Sequence, residues 1–138
     1  MGNKKILIVD DDPDIRLGMH VRLKANHYDT FFASDALSSM AEVRKHEPDL
    51  IVLDLGLPAG DGYVVMERLR KFPAFAVIPI IVVSARDAHA NRERAIKAGA
   101  KAFLQKPVDD AELLAVIQQA LDEPEHLKKP FVHEVGSV

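Results

Sequence analysis

The sequence of 138 residues contains no cysteine. The chain can therefore form no disulfide bond, no thiolate metal site and no thiol nucleophile. Basic residues are outnumbered, 18 against 21 acidic ones, which gives a net charge of −3 and no sign of a nucleic-acid-binding surface. The apolar run near the start, in MGNKKILIVDDD, is too short for a signal peptide or a membrane span. We expect a cytoplasmic protein that contacts neither nucleic acid nor a membrane directly.

Short, unbroken apolar runs alternate along the chain with segments of helical periodicity. Three of these runs are rich in β-branched residues and two are weaker strand candidates; they cover residues 6–9, 50–53 and 80–83, and residues 30–33 and 102–104. Between them, apolar residues recur at helical spacing, as Leu37, Met40 and Ala41 do on one face of the second predicted helix. This alternation predicts an α/β fold of five strands and five helices, with helices on both faces of a parallel sheet.

The alternating pattern ends near residue 123. We expect one folded domain over residues 1–123, followed over residues 124–138 by a C-terminal tail or the start of a linker. The sequence leaves open whether the chain is a stand-alone protein or a fragment of a longer one.

Polar side chains stand at the ends of four of the predicted strands. Asp10 and Asp11 follow the first strand, Asp54 the third, Ser84 the fourth and Lys106 the fifth. The carboxyl ends of parallel strands lie on one edge of the sheet, where ligands bind, so these side chains are expected to converge there. Their convergence explains why a strand as apolar as residues 50–53 ends on an acid, whose burial alone would be costly.

The residue types at this edge indicate a particular chemistry. Crowded carboxylates repel one another unless a cation neutralises them. Oxygen ligands without a nearby histidine or cysteine suit Mg²⁺. A lysine and a hydroxyl add donors for the oxygens of an anion, and a carboxylate needs no base to act as a nucleophile. The set therefore predicts a phosphoryl-transfer site.

This set of residues resembles that of the receiver domain of two-component response regulators, the CheY-like domains. The resemblance rests on Asp10-Asp11, Asp54, Ser84-Ala85 and Lys106-Pro107, and it covers residues 4 to 122. The stretches LDLGLPAGDG and AGAKAFLQKP are typical of the family. The resemblance implies a flavodoxin-like, doubly wound sheet of strand order 2-1-3-4-5 with five helices, in three layers.

The resemblance also implies a role for each position of the site. Asp54 would be the phosphoacceptor, and Mg²⁺, for which Mn²⁺ would substitute, would be held by Asp10, Asp11, Asp54 and the backbone carbonyl of Gly56. Groups at three positions would bind the phosphoryl oxygens: Ser84, Ala85 and Lys106.

Further positions would carry regulatory or structural roles. Ser84 and Phe103 would form the switch, with Phe103 turning into the space that Ser84 leaves as it moves toward the phosphoryl group. Gly56 and Arg86 would tune the lifetime of the phosphorylated state. The Lys106–Pro107 peptide bond would be cis.

The function implied is a phosphorylation-activated signalling switch. The domain would take a phosphoryl group from a sensor histidine kinase or a histidine phosphotransfer protein. It would then change the face made by its fourth helix, fifth strand and fifth helix, to engage an output partner. It would catalyse only this phosphotransfer and its own dephosphorylation, so it would not be a metabolic enzyme.

The same resemblance bears on the oligomeric state. Regulators of the winged-helix class form symmetric dimers through salt bridges on that face. Here Lys101-Ala102 replaces an acidic pair, Val108 replaces an aromatic residue, and the fifth predicted helix contains no arginine. We expect a monomer or a weak dimer.

Three other functions share parts of this pattern. A haloacid-dehalogenase-type phosphotransferase also has an Asp nucleophile after its first strand, but the run Asp10 to Pro13 departs from its motif and the chain is short for that fold. In a flavodoxin-like electron carrier, the three acids would repel the flavin phosphate. A degenerate receiver that only binds proteins would lack at least one of the five site residues, and none is missing.

Overall fold

The computed structural model describes residues 2–123, which form five strands and six helices. In chain order the elements are β1 (Lys5–Val9), α1 (Pro13–Ala25), β2 (Asp29–Ala33), α2 (Ala36–His46), β3 (Leu50–Leu53), α3 (Gly62–Arg70), α4 (Pro73–Ala76), β4 (Ile80–Ser84), α5 (Ala88–Lys97), β5 (Ala102–Gln105) and α6 (Asp110–Asp122). The predicted tail or linker over residues 124–138 lies outside the described residues.

The five strands form one parallel sheet in the order β2-β1-β3-β4-β5, which confirms the predicted topology. At the centre of the sheet β1 pairs with β3, and Val9 stands opposite Leu53. The next residue of each strand is an aspartate, so this register places Asp10 beside Asp54. The order of the strands reverses at β1, and that is where a doubly wound sheet opens a crevice for ligands.

Helices cover both faces of the sheet and enclose two apolar cores. In β1, Leu7 and Val9 point into the core under α2, α3 and α5, while Ile6 and Ile8 point into the core under α1 and α6. Because successive strand residues face opposite sides, a strand between two cores must be apolar throughout. This arrangement accounts for the unbroken apolar runs and for the three layers.

The number of helices differs from the prediction. The structure has six rather than five, because the short helix α4 lies between α3 and β4. Four residues are too few to show a helical period, so the sequence pattern could not reveal α4. The fourth and fifth predicted helices are therefore α5 and α6.

The predicted apolar face of α2 lies mostly outside the core. Leu37 is 70% exposed, and the side chains that turn inward are Ala36, Ser39, Met40 and Val43. The helix is rotated so that Leu37 faces a groove between α2 and α3.

Within residues 2–123, every helix is too short or too polar to cross a membrane.

Candidate functional site

Three carboxylates meet at the carboxyl edge of the sheet, as the sequence predicts. Asp10 and Asp54 are almost fully buried, with 2% and 7% of their surfaces exposed, and Asp11 beside them is open to solvent. One carboxylate oxygen from each residue lies within 4.8 Å of the others. Three hard oxygen donors at this spacing, one of them open to solvent, fit a divalent cation such as Mg²⁺ that keeps part of its water shell.

Lys106 reaches this cluster from the end of β5. Its Nζ lies 2.8 Å from Asp10 Oδ2 and 3.4 Å from Asp54 Oδ2, so one ammonium bridges the two buried acids. The Lys106 backbone N–H donates to the carbonyl of Ser84 at 2.8 Å, which ties the end of β5 to β4. The following peptide bond, Lys106–Pro107, is cis, as predicted.

The charges in the cluster do not balance, because three carboxylates face one ammonium. Burial raises the pKa of Asp10 above its ordinary value, although hydrogen bonds from Lys106 and from the Asp12 N–H oppose the shift. Burial opposes protonation of Lys106, but the hydrogen bonds and charges of Asp10 and Asp54 outweigh it and raise the pKa of Lys106. Both shifts favour the less negative form of the site, as an excess of carboxylates requires.

The raised pKa of Asp10 predicts a pH dependence of stability in the absence of metal. A carboxyl whose pKa is higher in the folded state stabilises the fold below its unfolded pKa, near 3.8, and this contribution is lost as the pH rises through the folded value. Asparagine does not titrate, so the Asp10→Asn variant lacks this pH dependence. Its free energy of unfolding should therefore increase relative to wild type as the pH rises from about 4 toward neutrality. Urea titrations in EDTA at several pH values measure the free energy of unfolding of both proteins. A value for Asp10→Asn that fell relative to wild type as the pH rose would contradict the prediction.

Ser84 lies buried at the end of β4. This strand pairs with β3, and Asp54 directly follows β3. The Ser84 Oγ accepts a hydrogen bond from the Arg86 backbone N–H at 3.1 Å. A hydroxyl that accepts one hydrogen bond still has its proton available for another acceptor. Ala85 is exposed on the same loop.

Gln105 was not identified from the sequence, although its side chain organises this loop. Its Nε2 donates to the carbonyls of Ala85 at 3.1 Å and Arg86 at 2.9 Å, and its Oε1 accepts from the Ala88 N–H at 2.9 Å. These three bonds hold the segment from β4 to α5 against β5. An exposed polar residue at a strand end gives no sequence signal for such a role; only its position next to Lys106 could have drawn attention to it.

An ion pair spans the two loops beside the carboxylates. Arg86 Nη1 lies 3.5 Å from Asp61 Oδ2, and the Asp61 carboxylate also caps α3 by accepting from the Tyr63 and Val64 N–H groups. Arg86 thus links the loop after β4 to the start of α3, with its guanidinium held on one side by Asp61.

The loop after Asp54 packs tightly against the start of α3. The Gly56 N–H lies 3.3 Å from Asp54 Oδ1, and the Gly62 N–H donates to the Leu55 carbonyl at 2.9 Å. A Cβ on Gly62 would lie 2.6 Å from the Asp54 carbonyl oxygen. Gly62 was not predicted as a site residue, although the GDG turn is visible in the sequence.

Phe103 lies on β5 with 1% of its surface exposed. Arg92 of α5 covers its ring at 5.5 Å and donates to its backbone carbonyl at 3.1 Å. The Phe103 ring is therefore already inside the domain in this structure, so the predicted inward rotation of the ring cannot start from an outward position.

Comparisons with known proteins agree with this geometry. Residues 6–118 match the family described as the response regulator receiver domain. The response regulator PleD of Caulobacter vibrioides is 34% identical over 115 residues, which are 83% of this chain and 25% of that protein. The chain thus spans about a quarter of the length of this relative.

Two solved structures have the same fold. A putative response regulator from Chloroflexus aurantiacus superposes with a TM-score of 0.84 at 27% identity, covering 88% of this chain and 99% of that one. The receiver domain of the sensor histidine kinase PA1611 from Pseudomonas aeruginosa superposes with a TM-score of 0.81 at 26% identity, covering 88% and 100%. That structure has a magnesium ion coordinated in its active site cleft. By its fold, its cluster of carboxylates and its match over residues 6–118, this chain belongs to the response regulator receiver domain family.

Proposed function

We propose that this domain is a phosphorylation switch in which Asp54 accepts the phosphoryl group. The observation that carries the proposal is the cluster at the sheet edge, where Asp10, Asp11 and Asp54 offer oxygens within 4.8 Å and Lys106 bridges two of them. Asp10, Asp11, Asp54 and the Gly56 carbonyl would hold Mg²⁺, or Mn²⁺ in its place. The bound metal supplies positive charge that offsets the negative charge of the carboxylates and the phosphoryl group.

Each neighbouring group has a part in the transfer. An Asp54 oxygen attacks phosphorus, and the new O–P bond forms as the N–P bond of a phosphohistidine donor breaks. Lys106, already in contact with Asp54, is placed to interact with a phosphoryl oxygen. The Ser84 hydroxyl, whose proton is available, and the Ala85 N–H can donate hydrogen bonds to the other phosphoryl oxygens. Hydrolysis later releases phosphate, at a rate that Gly56 and Arg86 would tune from the mouth of the site.

The switch would act on residues that already connect the site to α5. Phosphorylation adds roughly −1.5 to −2 charges, which draws Ser84 and its loop toward the phosphoryl group. Phe103 is already inside, so the modified state would keep the ring there and restrict its exchange with other positions. Arg92 joins that ring to α5, which extends the effect to the face of α5, β5 and α6. The phosphoryl group needs only to shift an existing equilibrium of a few kcal/mol.

Receiver domains of response regulators act between histidine kinases and output domains. We propose that a sensor histidine kinase or a histidine phosphotransfer protein is the donor here, in the cytoplasm, and that an output protein or domain binds the α5–β5–α6 face. The domain would catalyse its own phosphorylation and dephosphorylation and no metabolic reaction.

The same face supports a monomer or a weak dimer. Lys101 is engaged within its own chain, 3.0 Å from Glu123, and Arg92 is occupied by Phe103. Val108 packs against the core, and α6 carries no arginine. A second copy of the chain docked symmetrically on this face would therefore meet few charged side chains available for salt bridges like those of winged-helix regulators.

A phosphoryl mimic tests the proposed site without a cognate kinase. With beryllofluoride and Mg²⁺, fluorine NMR should show a protein-bound signal for the wild type, because Asp54 can ligate beryllium where Lys106 and Ser84 meet the fluorides. The signal should disappear in Asp54→Asn and in EDTA, and should weaken in Asp11→Ala. Asp61→Asn is the matched control, since Asp61 is a neighbouring carboxylate outside the metal cluster. A bound signal that persists in Asp54→Asn would exclude Asp54 as the acceptor.

A further inference from the structure

A groove between α2 and α3 opens to solvent away from the carboxylate site. We call it the α2–α3 groove; it has a volume of about 680 Å³, and its apolar lining comes from Leu37, Met40 and Ala41 of α2 and from Phe72, just after α3. Leu37, Met40 and Ala41 are the amphipathic face that the sequence predicts for α2, and only Met40 among them is buried. Leu37 and Ala41 of this apolar stripe therefore face the groove instead of the core.

Phe72 packs on Phe75, with ring centroids 5.6 Å apart, and still keeps much of its surface exposed beside the groove. Its side chain is 42% exposed although it stands at the N-cap of α4, where it makes no side-chain cap hydrogen bond. Ser, Thr, Asp or Asn is preferred at a helix N-cap, because such a side chain can accept from a backbone N–H of the first turn. An exposed aromatic residue at a position that favours a small polar one is typical of an interaction surface.

Positive charge surrounds this apolar lining. Arg44, Arg68 and Lys71 line the groove, all three are exposed, and within residues 2–123 none of them forms an ion pair. The Arg44 guanidinium lies 5.5 Å from the centre of the Phe72 ring, so the charge and the apolar surface adjoin. The one acidic residue of the lining, Asp35, is occupied as the N-cap of α2, where it accepts from the Ser38 N–H.

We propose that the α2–α3 groove binds an acidic amphipathic helix of a partner protein. Apolar side chains on one face of that helix would pack on Leu37, Ala41 and Phe72, and carboxylates on its flanks would pair with Arg44, Arg68 and Lys71. A helix in a groove between two helices is a common mode of peptide recognition, and the surplus of unpaired cations selects an acidic partner over a basic one. The groove contains none of the metal-cluster or phosphoryl-binding residues, so this binding does not depend on the phosphoryl chemistry.

Two designed peptides test the proposal by fluorescence anisotropy on the full chain. Both have about 18 residues, with leucine at i, i+3, i+4 and i+7 and alanine elsewhere, except on the flanks of the leucine face, which carry glutamate in one peptide and lysine in the second. The glutamate peptide should bind, and its affinity should fall as salt rises from about 50 to 500 mM. The lysine peptide should not bind. Equal binding of the two peptides, or no binding of the glutamate peptide, would overturn the proposal.

Variants of the groove locate the binding. Phe72→Ser should weaken binding of the glutamate peptide by about tenfold or more, because it removes the exposed aromatic side chain from the groove, while its circular dichroism spectrum should stay that of the folded wild type. Arg68→Glu, at an exposed position, should weaken it independently of any packing effect. The control is Val21→Ser on α1, which removes an exposed apolar residue outside the groove and should bind as wild type does. Unchanged binding in both groove variants, or tighter binding of a single-stranded oligonucleotide than of the glutamate peptide, would contradict the assignment.

Discussion

Replacing Gly62 by alanine is expected to destabilise the domain by about 2–3 kcal/mol, at the upper end of the cost of overpacking. The added Cβ would meet the Asp54 carbonyl oxygen at 2.6 Å and Leu55 Cα at 2.9 Å. Both are backbone atoms in a buried segment, so the clash cannot be relieved by rotating a side chain. The loop after β3 must move away from α3, and Asp54 moves with it.

The same substitution at Gly18 provides the matched control. Gly18 lies within α1, and a Cβ there has no atom within 4 Å. Gly18→Ala should stabilise the domain by about 0.5–1 kcal/mol, because alanine loses less backbone entropy than glycine in a helix. Urea denaturation measures both variants. A Gly62→Ala protein as stable as Gly18→Ala would mean that the loop after Asp54 is not packed as described.

Removing the bridging ammonium should have a comparably large effect on the metal-free protein. Lys106→Met leaves Asp10 and Asp54 buried beside each other with no cation between them. Breaking a buried ion pair on one side costs about 3–5 kcal/mol, and since the Lys106 side chain is 16% exposed we expect about 2–3 kcal/mol. Lys97→Met is the control, because the Lys97–Glu93 pair is 72% exposed on both sides and should contribute less than about 0.5 kcal/mol.

A second substitution separates electrostatics from packing. In the Lys106→Met background, Asp10→Asn removes the charge that the lysine neutralised, so it should restore part of the lost stability. Mg²⁺ should also restore part of it, since a ligand that binds the folded state stabilises it. If Asp10→Asn lowered the stability of Lys106→Met further, repulsion between carboxylates would not be the cause of the stability lost in Lys106→Met.

The sheet and its site could be predicted because both follow from a short-range pattern. Strands buried on both faces, such as β3 with Leu50 to Leu53, must be apolar throughout, and this makes them visible in the sequence. Once the strands are known to be parallel, their carboxyl ends share an edge. Asp10, Asp54 and Lys106 are then brought together by topology, although up to 96 positions separate them along the chain.

The parts that could not be predicted depend on tertiary contacts. The rotation of α2 about its axis decides that Val43 is buried and Leu37 exposed, and periodicity alone does not distinguish these two faces. The role of Gln105 arises from a loop that approaches it only in the folded chain. Phe103 lies inside and is covered by Arg92 of the preceding helix, a contact that exists only in the folded chain.

Covalent labelling shows directly whether Asp54 accepts the phosphoryl group. The purified chain is incubated with acetyl phosphate and Mg²⁺, and its intact mass is measured together with those of Asp54→Asn and Asp61→Asn. The wild type and Asp61→Asn should each gain one phosphoryl group, which EDTA prevents, while Asp54→Asn should gain none. A wild-type protein that stays unlabelled, or an Asp54→Asn variant that is labelled to the same extent, would contradict the assignment of Asp54 as the phosphoacceptor.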